Sequence, residues 1–263
     1  MTDGVLEVVL GVVAAGISAG LGWSARTYLW RRRLRRKQRF FGLPDGSECL
    51  FVVNRHMGGE QRSVHQRDAF ALLELAALVK DCGAEVQIAA HDETRQGFGT
   101  RAEFCVGGPA SNQRTAAHLA ALLPGVRFTT TPEPGPDQGA IHIAGRTYRR
   151  VKGQEEYVLL VRLASEAHAR PVFLLCGQSA ITNQTAARYL ASHHEELHRR
   201  GSGGVLCLLL KVVNPAAYGA DMSEVVADVS EAARTAPPAP PDGEGAAAQE
   251  SSASSLRAVP AQE

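Results

Sequence analysis

Net charge, paired cysteines and the usual glycine fingerprints are all scarce in this 263-residue sequence, and each absence removes a class of function. The formal net charge is only +1, and it is unevenly placed. Eight of the 28 Lys and Arg residues fall before position 40, against only Asp3 and Glu7 among the acids, which leaves 20 basic and 25 acidic residues beyond that point. A mildly acidic body lacks the clustered cations that phosphate neutralisation requires, so no nucleic-acid partner is expected. Cys49, Cys82, Cys105, Cys176 and Cys207 include no CxxC pair, and four of them lie in or beside apolar runs. They read as reduced core thiols of a chain folded in a reducing compartment. GxGxxG is missing, and no Gly-Lys-Ser/Thr follows the glycine turns, so neither the dinucleotide fingerprint nor a P-loop is present.

Charge is also absent from Val8 to Trp23. Sixteen helical residues reach about 24 Å, and continuing to Trp30, with Arg26 snorkelling and Tyr28 and Trp30 at headgroup level, extends this to a full span of about 30 Å. Acids precede the apolar stretch and arginines follow it, the reverse of a cleaved signal peptide. The expectation is a single-pass anchor over residues 1–30 in the plasma membrane, with its N-terminus outside and the rest cytoplasmic. A secreted protein that loses this segment is the rival reading. Gly16 and Gly20 form a GxxxG that would let two helices approach as a homodimer. Arg31, Arg32, Arg33, Arg35 and Arg36, in a basic juxtamembrane linker over residues 31–47, are candidates for anionic lipid headgroups of the bilayer.

Between residues 48 and 234 the pattern is that of one cytoplasmic α/β domain. Apolar runs at Cys49–Val53, Glu85–Ala90, Phe104–Val106, Ala140–Ile143, Tyr157–Leu163, Val172–Cys176 and Val205–Val213 read as strands. A hairpin is expected through residues 164–171. Helices are expected over Asp68–Lys80, with Phe70, Leu73, Ala77 and Val79 or Leu78 inward, and over Ser111–Leu123, Asn183–Arg199 and Met222–Arg234. Strands apolar on both faces imply a doubly wound, mainly parallel sheet behind one transmembrane helix. From residue 235 to 263, Pro, Ala, Ser, Gly and Gln dominate, and a disordered tail is expected.

Two segments repeat one design. Cys105-Val106-Gly107-Gly108-Pro109-Ala110-Ser111-Asn112 and Cys176-Gly177-Gln178-Ser179-Ala180-Ile181-Thr182-Asn183 each run from a strand through a glycine turn into a helix. Such a turn exposes backbone N–H groups at a helix N-terminus, where an anion can be held. Gly107, Gly108, Ser111, Asn112, Gly177, Gln178, Thr182 and Asn183, with Asp68 opening the preceding helix, are therefore the candidate binding residues for a small anionic ligand. The same residues also suit plain turns and caps. No nucleophile, base and orienting acid come together, although Asp68 or Glu93 could serve as the acid of an enzyme acting on a nucleotide or glycoside. His194-Glu195-Glu196-Leu197-His198 matches HExxH, but Glu196 is charged, Gly204 stands where an elongated motif carries a third histidine, and Gly201 ends the helix. No metal or cofactor is expected.

Gly107-Gly108-Pro109-Ala110-Ser111-Asn112, and Gly177 followed by Thr185-Ala186-Ala187, resemble the strand-GGPxxN-helix and strand-Gly-turn-helix units of an uncharacterised Rossmann-like domain of prokaryotes. Asn183 and Gln184 stand where that pattern carries another glycine. The anchor-plus-domain layout and the Ala/Gly/Arg-rich style are similar to actinobacterial single-pass membrane proteins. The resemblance covers roughly residues 48–213 and implies a Rossmann-like fold without a known activity.

Overall fold

The computed structural model describes residues 2–54, 63–94, 99–130, 135–164, 170–201 and 204–237. In chain order the elements are α1 (Thr2–Phe41), β1 (Glu48–Val53), α2 (Gln66–Asp81), β2 (Glu85–Ala90), β3 (Ala102–Val106), α3 (Gln113–Leu122), β4 (Arg127–Phe128), β5 (Ile141–Ile143), β6 (Arg146–Tyr148), β7 (Glu155–Leu163), β8 (Val172–Gly177), α4 (Ala180–Arg200), β9 (Val205–Val213), α5 (Pro215–Tyr218), β10 (Ser223–Asp228) and α6 (Ser230–Arg234). Seven strands form one sheet in the order β10-β9-β7-β8-β3-β1-β2. The run β8-β3-β1-β2 is parallel, whereas β7, β9 and β10 add antiparallel neighbours. Five of the seven strands thus point one way, and the β7-to-β8 hairpin inserts the first reversed one.

Both faces of the sheet are covered, as its all-apolar strands require. On one side α2 and α4 pack through Leu75, Val79, Ala187 and Leu190 onto Phe51, Phe104 and Leu208. On the other, Leu119 and Leu123 at the end of α3, Ala233 of α6 and Ile141 of β5 cover Val52, Cys105, Leu174 and Leu209. All five cysteines are buried and unpaired. This is a mixed α/β domain compatible with a Rossmann-like arrangement.

Helix α1 is continuous through the basic segment, so residues 31–41 are helical rather than an irregular linker. Its 40 residues make a rod of about 60 Å. The last turn carries Phe40 and Phe41, both buried, into an aromatic cluster in which Phe104 and Phe173 stack at 4.8 Å. Burying two phenylalanines contributes about 3–6 kcal/mol, enough to fix the end of the rod to the domain. Among the residues whose side chains are described, no helical stretch is long and apolar enough to cross a membrane. The side chains of residues 5–9 and 12–15, within the expected anchor, lie outside that set.

Three local expectations are corrected. Residues 222–234 do not form one helix: Ser223–Asp228 pairs antiparallel with β9, with a register shift between Val225 and Ala227, and only Ser230–Arg234 is helical. Consecutive valines prefer extended backbone, and the open edge of β9 supplies the hydrogen bonds. In α2 the inward residues are Ala71, Leu75, Leu78 and Val79, while Phe70 and Leu73 are exposed. The third concerns the glycine-turn helices. α3 starts at Gln113 behind the N-cap Asn112, and α4 starts at Ala180 behind Ser179, three residues before Asn183. The irregular middle also holds a small antiparallel sheet, β4-β5-β6, whose β5–β6 turn places Ala144 and Gly145 at positive φ, as a two-residue hairpin loop of the primed type demands.

Candidate functional site

The two glycine turns sit side by side at the carboxyl ends of adjacent parallel strands, β3 and β8. They require glycine for different reasons. Gly107 has φ +116°, a conformation costly for any residue with a Cβ. Gly177 has no such φ, but a Cβ there would lie 2.5 Å from Asn183 Oδ1 and closer still to the Thr182 hydroxyl. At Gly108 a Cβ would meet the Gly177 carbonyl oxygen at 3.0 Å, so the turns also touch each other.

Between them and the end of β1 lies an open cavity of about 300 Å³. This is the point where the strand order switches: the chain leaves β1 through α2 on one face and leaves β3 through α3 on the other. Doubly wound sheets bind ligands in such a crevice. Of the nine candidate residues, Asp68, Gly108, Ser111, Gly177, Gln178 and Asn183 line it. Gly107, Asn112 and Thr182 stand behind the lining.

Most of the candidate side chains are committed to building the crevice. Asn112, completely buried, accepts from the N–H groups of Arg114 and Thr115 and donates to the carbonyls of Val52 and Val106, tying α3 to β1 and β3. Gln178 accepts from Tyr157 N–H and donates to the carbonyls of Gly139 and Tyr148. Thr182 accepts from Ser179 N–H and donates to its carbonyl, closing the first turn of α4. Asn183 accepts from Gly177 N–H at 2.8 Å and donates to Asp68 Oδ1 at 2.9 Å, which fixes the buried Asp68 against α4.

Asn54, one of the polar residues that the sequence offers in the loop after β1, and Ser179, which it did not single out, complete the wall. Asn54 follows β1, and its buried Oδ1 has no hydrogen-bond partner among the described residues. Ser179 lines the cavity and donates its hydroxyl to Glu156, an acid only 2 % exposed that also pairs with Arg150 at 3.2 Å. The phase of β7 carried the signal for that acid: Glu156 shares the period-two face of Val158 and Leu160 and must be buried with them. Glu93 is not among the lining residues. The other polar residues that the sequence offers in the loop after β1, Arg55, His56, Gly58 and Gly59, lie outside the described residues.

Two further constellations lie near the sheet. The HExxH histidines lie on the last turns of α4, where the His194 ring is 5.9 Å from Phe41 and the His198 ring 5.9 Å from Phe40, so they pack against the end of α1. Glu103, Cys105 and His118 bring three ligand atoms within 4.8 Å of one another. Arg114, however, occupies both Glu103 oxygens at 2.9 and 2.8 Å, and Cys105 and His118 converge on Oε1 at 3.1 Å. Burial alone would raise the Glu103 carboxyl, but the hydrogen bonds from Arg114, His118 and Cys105 outweigh it and hold the group down to about 2. Burial pushes the thiols of Cys105 and Cys176 well above the ordinary range, which removes the thiolate that a Cys-His nucleophile needs. No known family model matches this sequence, and no curated protein matches it significantly.

Proposed function

We propose that this chain displays an α/β domain at the cytoplasmic face of a membrane, where the crevice at the ends of β1, β3 and β8 binds a small phosphate-bearing ligand, such as a nucleotide, in a sensing or scaffolding role. The observation that carries the reading is the 300 Å³ cavity at the switch point, walled by two helix-opening turns and by Asn54, whose buried Oδ1 has no partner among the described residues and can accept from a ligand hydroxyl. Its size matches the low end of ligand sites. The N-termini of α3 and α4 favour a phosphate, and Asp68 offers a carboxylate to ligand hydroxyls, which together favour a phosphorylated polyol over a simple anion.

The membrane reading is supported by α1. Ile17, Leu21, Trp23, Leu29 and Trp30 are all exposed, Trp23 by 72 %, on a rod that touches its own domain only near its end. These exposed apolar side chains favour a non-aqueous partner, and the order of charges, with Arg31 to Arg39 after them, favours a cytoplasmic domain. The same reading covers close approach of two anchors at Gly16 and Gly20, both without neighbouring atoms in this chain.

Thermal melting of the full chain in detergent against a panel of nucleotides and sugar phosphates tests the crevice. A ligand at about one hundred times its Kd should stabilise by about 2.7 kcal/mol. Asn54→Asp, which adds a negative charge to the wall, should abolish the shift. Absence of any shift across the panel, or an equal shift in Asn54→Asp, sinks the proposal.

A further inference from the structure

A second cavity, of about 380 Å³, lies where the end of α1 meets the end of α4. Arg33, Arg36 and Lys37 enter it from α1, Arg199 from α4, and the Phe40 ring with His198 against it forms one wall. Glu195 is the lining carboxylate, and Lys37 reaches Asp81 at 3.1 Å outside the lining.

Several arginines of the domain are held by acids. Arg101 meets Glu48, Arg114 Glu103, Arg149 Asp137, Arg188 Glu74 and Arg200 Glu196. Arg33, Arg36 and Arg199 have no ion pair among the described residues. Cations at helix C-termini are partly answered by the macrodipole, and two ends converge here, worth about one negative charge together. With Lys37 held by Asp81 and Glu195 set against the three arginines, about one positive charge is left over, and Arg39 and Arg162 stand close behind: Arg162 lies over the Phe40 ring at 5.1 Å and donates to the Phe40 carbonyl. His198 registers the resulting field: burial first, then Arg162, Arg39 and Arg36, hold it below the ordinary histidine range.

We propose that this corner is a phosphate-anion site, built by Arg33 and Arg36 of α1 together with Arg199 of α4. Arginine supplies bidentate donors to phosphate oxygens. A free phosphate and the headgroup of an anionic lipid such as phosphatidic acid share this chemistry. The inference is independent of the crevice and goes beyond a basic α1 segment lying on a bilayer, because Arg199 belongs to the folded domain and comes to the site only through the packing of α4 on Phe40 and Phe41.

The test uses the full chain. Inorganic phosphate is titrated onto protein in zwitterionic detergent, and in parallel the protein is reconstituted into phosphatidylcholine nanodiscs with and without phosphatidic acid, where native mass spectrometry or phosphorus NMR reads bound phosphatidic acid. Arg199→Ala should weaken binding about tenfold, roughly one charge-assisted hydrogen bond. Arg199→Lys should restore part of it. Arg200→Ala, at the neighbouring cation that pairs with Glu196 and is not a lining residue, should leave binding unchanged. Binding of inorganic phosphate that is sensitive to Arg199 assigns a soluble source, and binding confined to phosphatidic acid with the same sensitivity assigns a lipid. Equal affinities for Arg199→Ala and Arg200→Ala, or no binding in either arm, would overturn the proposal.

Discussion

Glu103→Gln should destabilise the domain by about 3 kcal/mol, an expectation that rests on a buried charge network. Glu103 is 3 % exposed at the start of β3, and its carboxylate carries Arg114 of α3 on both oxygens. An ordinary glutamate titrates near pH 4.3, so holding this one to about 2 is worth roughly 3 kcal/mol at neutral pH. Removing one partner of a buried pair costs up to about 3–5 kcal/mol by an independent route, and the part-exposed Arg114 left without its carboxylate places this case at the low end. Since the folded-state value lies below the unfolded one, this stability is complete above about pH 4.3 and disappears as pH falls towards about 2. Denaturant unfolding of the full chain, followed by circular dichroism across that range, should show the parent losing stability on acidification and Glu103→Gln starting lower with a flatter acid limb. The double variant Glu103→Leu with Arg114→Met should cost at least about 1 kcal/mol less than the sum of its singles. Additive singles, or a Glu103→Gln protein as stable as the parent with an unchanged acid limb, would refute the network as the fastening of α3.

Gly177→Ala should cost about 1–3 kcal/mol, because its Cβ is driven into the first turn of α4, whereas Gly135→Ala, whose Cβ meets open space, should be close to neutral; thermal melts of the two variants decide. The five thiols should resist alkylation in the native state and all react after denaturation, counted by mass spectrometry, since burial pushes Cys49 to about 12 and Cys82 to about 11 and raises the other three as well. Rapid native labelling of Cys105 or Cys176 would contradict the packing of β3 and β8.

Much of the fold was legible because local pattern and global packing agree. The limits of β2 and β9 follow directly from apolar runs between turn residues, and Asn112 is the N-cap that its Gly-Gly-Pro context suggests. Edge strand β10 was not legible, since Val225, Val226 and Val229 satisfy helical spacing as well as strand alternation, and only the unpaired edge of β9 chooses between them. The phase of α2 failed for a similar reason: Phe70 and Leu73 are as apolar as Leu75 and Leu78, and the contact with α4 selects the buried stripe. At the crevice, residue types located the turns but not the division of labour, because an asparagine that holds a ligand and one that holds its own backbone are the same in sequence.

The sequence alone determined the glycine turns, the buried thiols and the charge order around α1, all properties of residues close together along the chain. Only the tertiary structure decided that the two turns touch, that Asn183 is spent on Gly177 and Asp68, and that Arg199 joins Arg33 and Arg36. Those contacts join residues far apart in sequence, and their partners are set by strand order and helix packing, which no local pattern encodes.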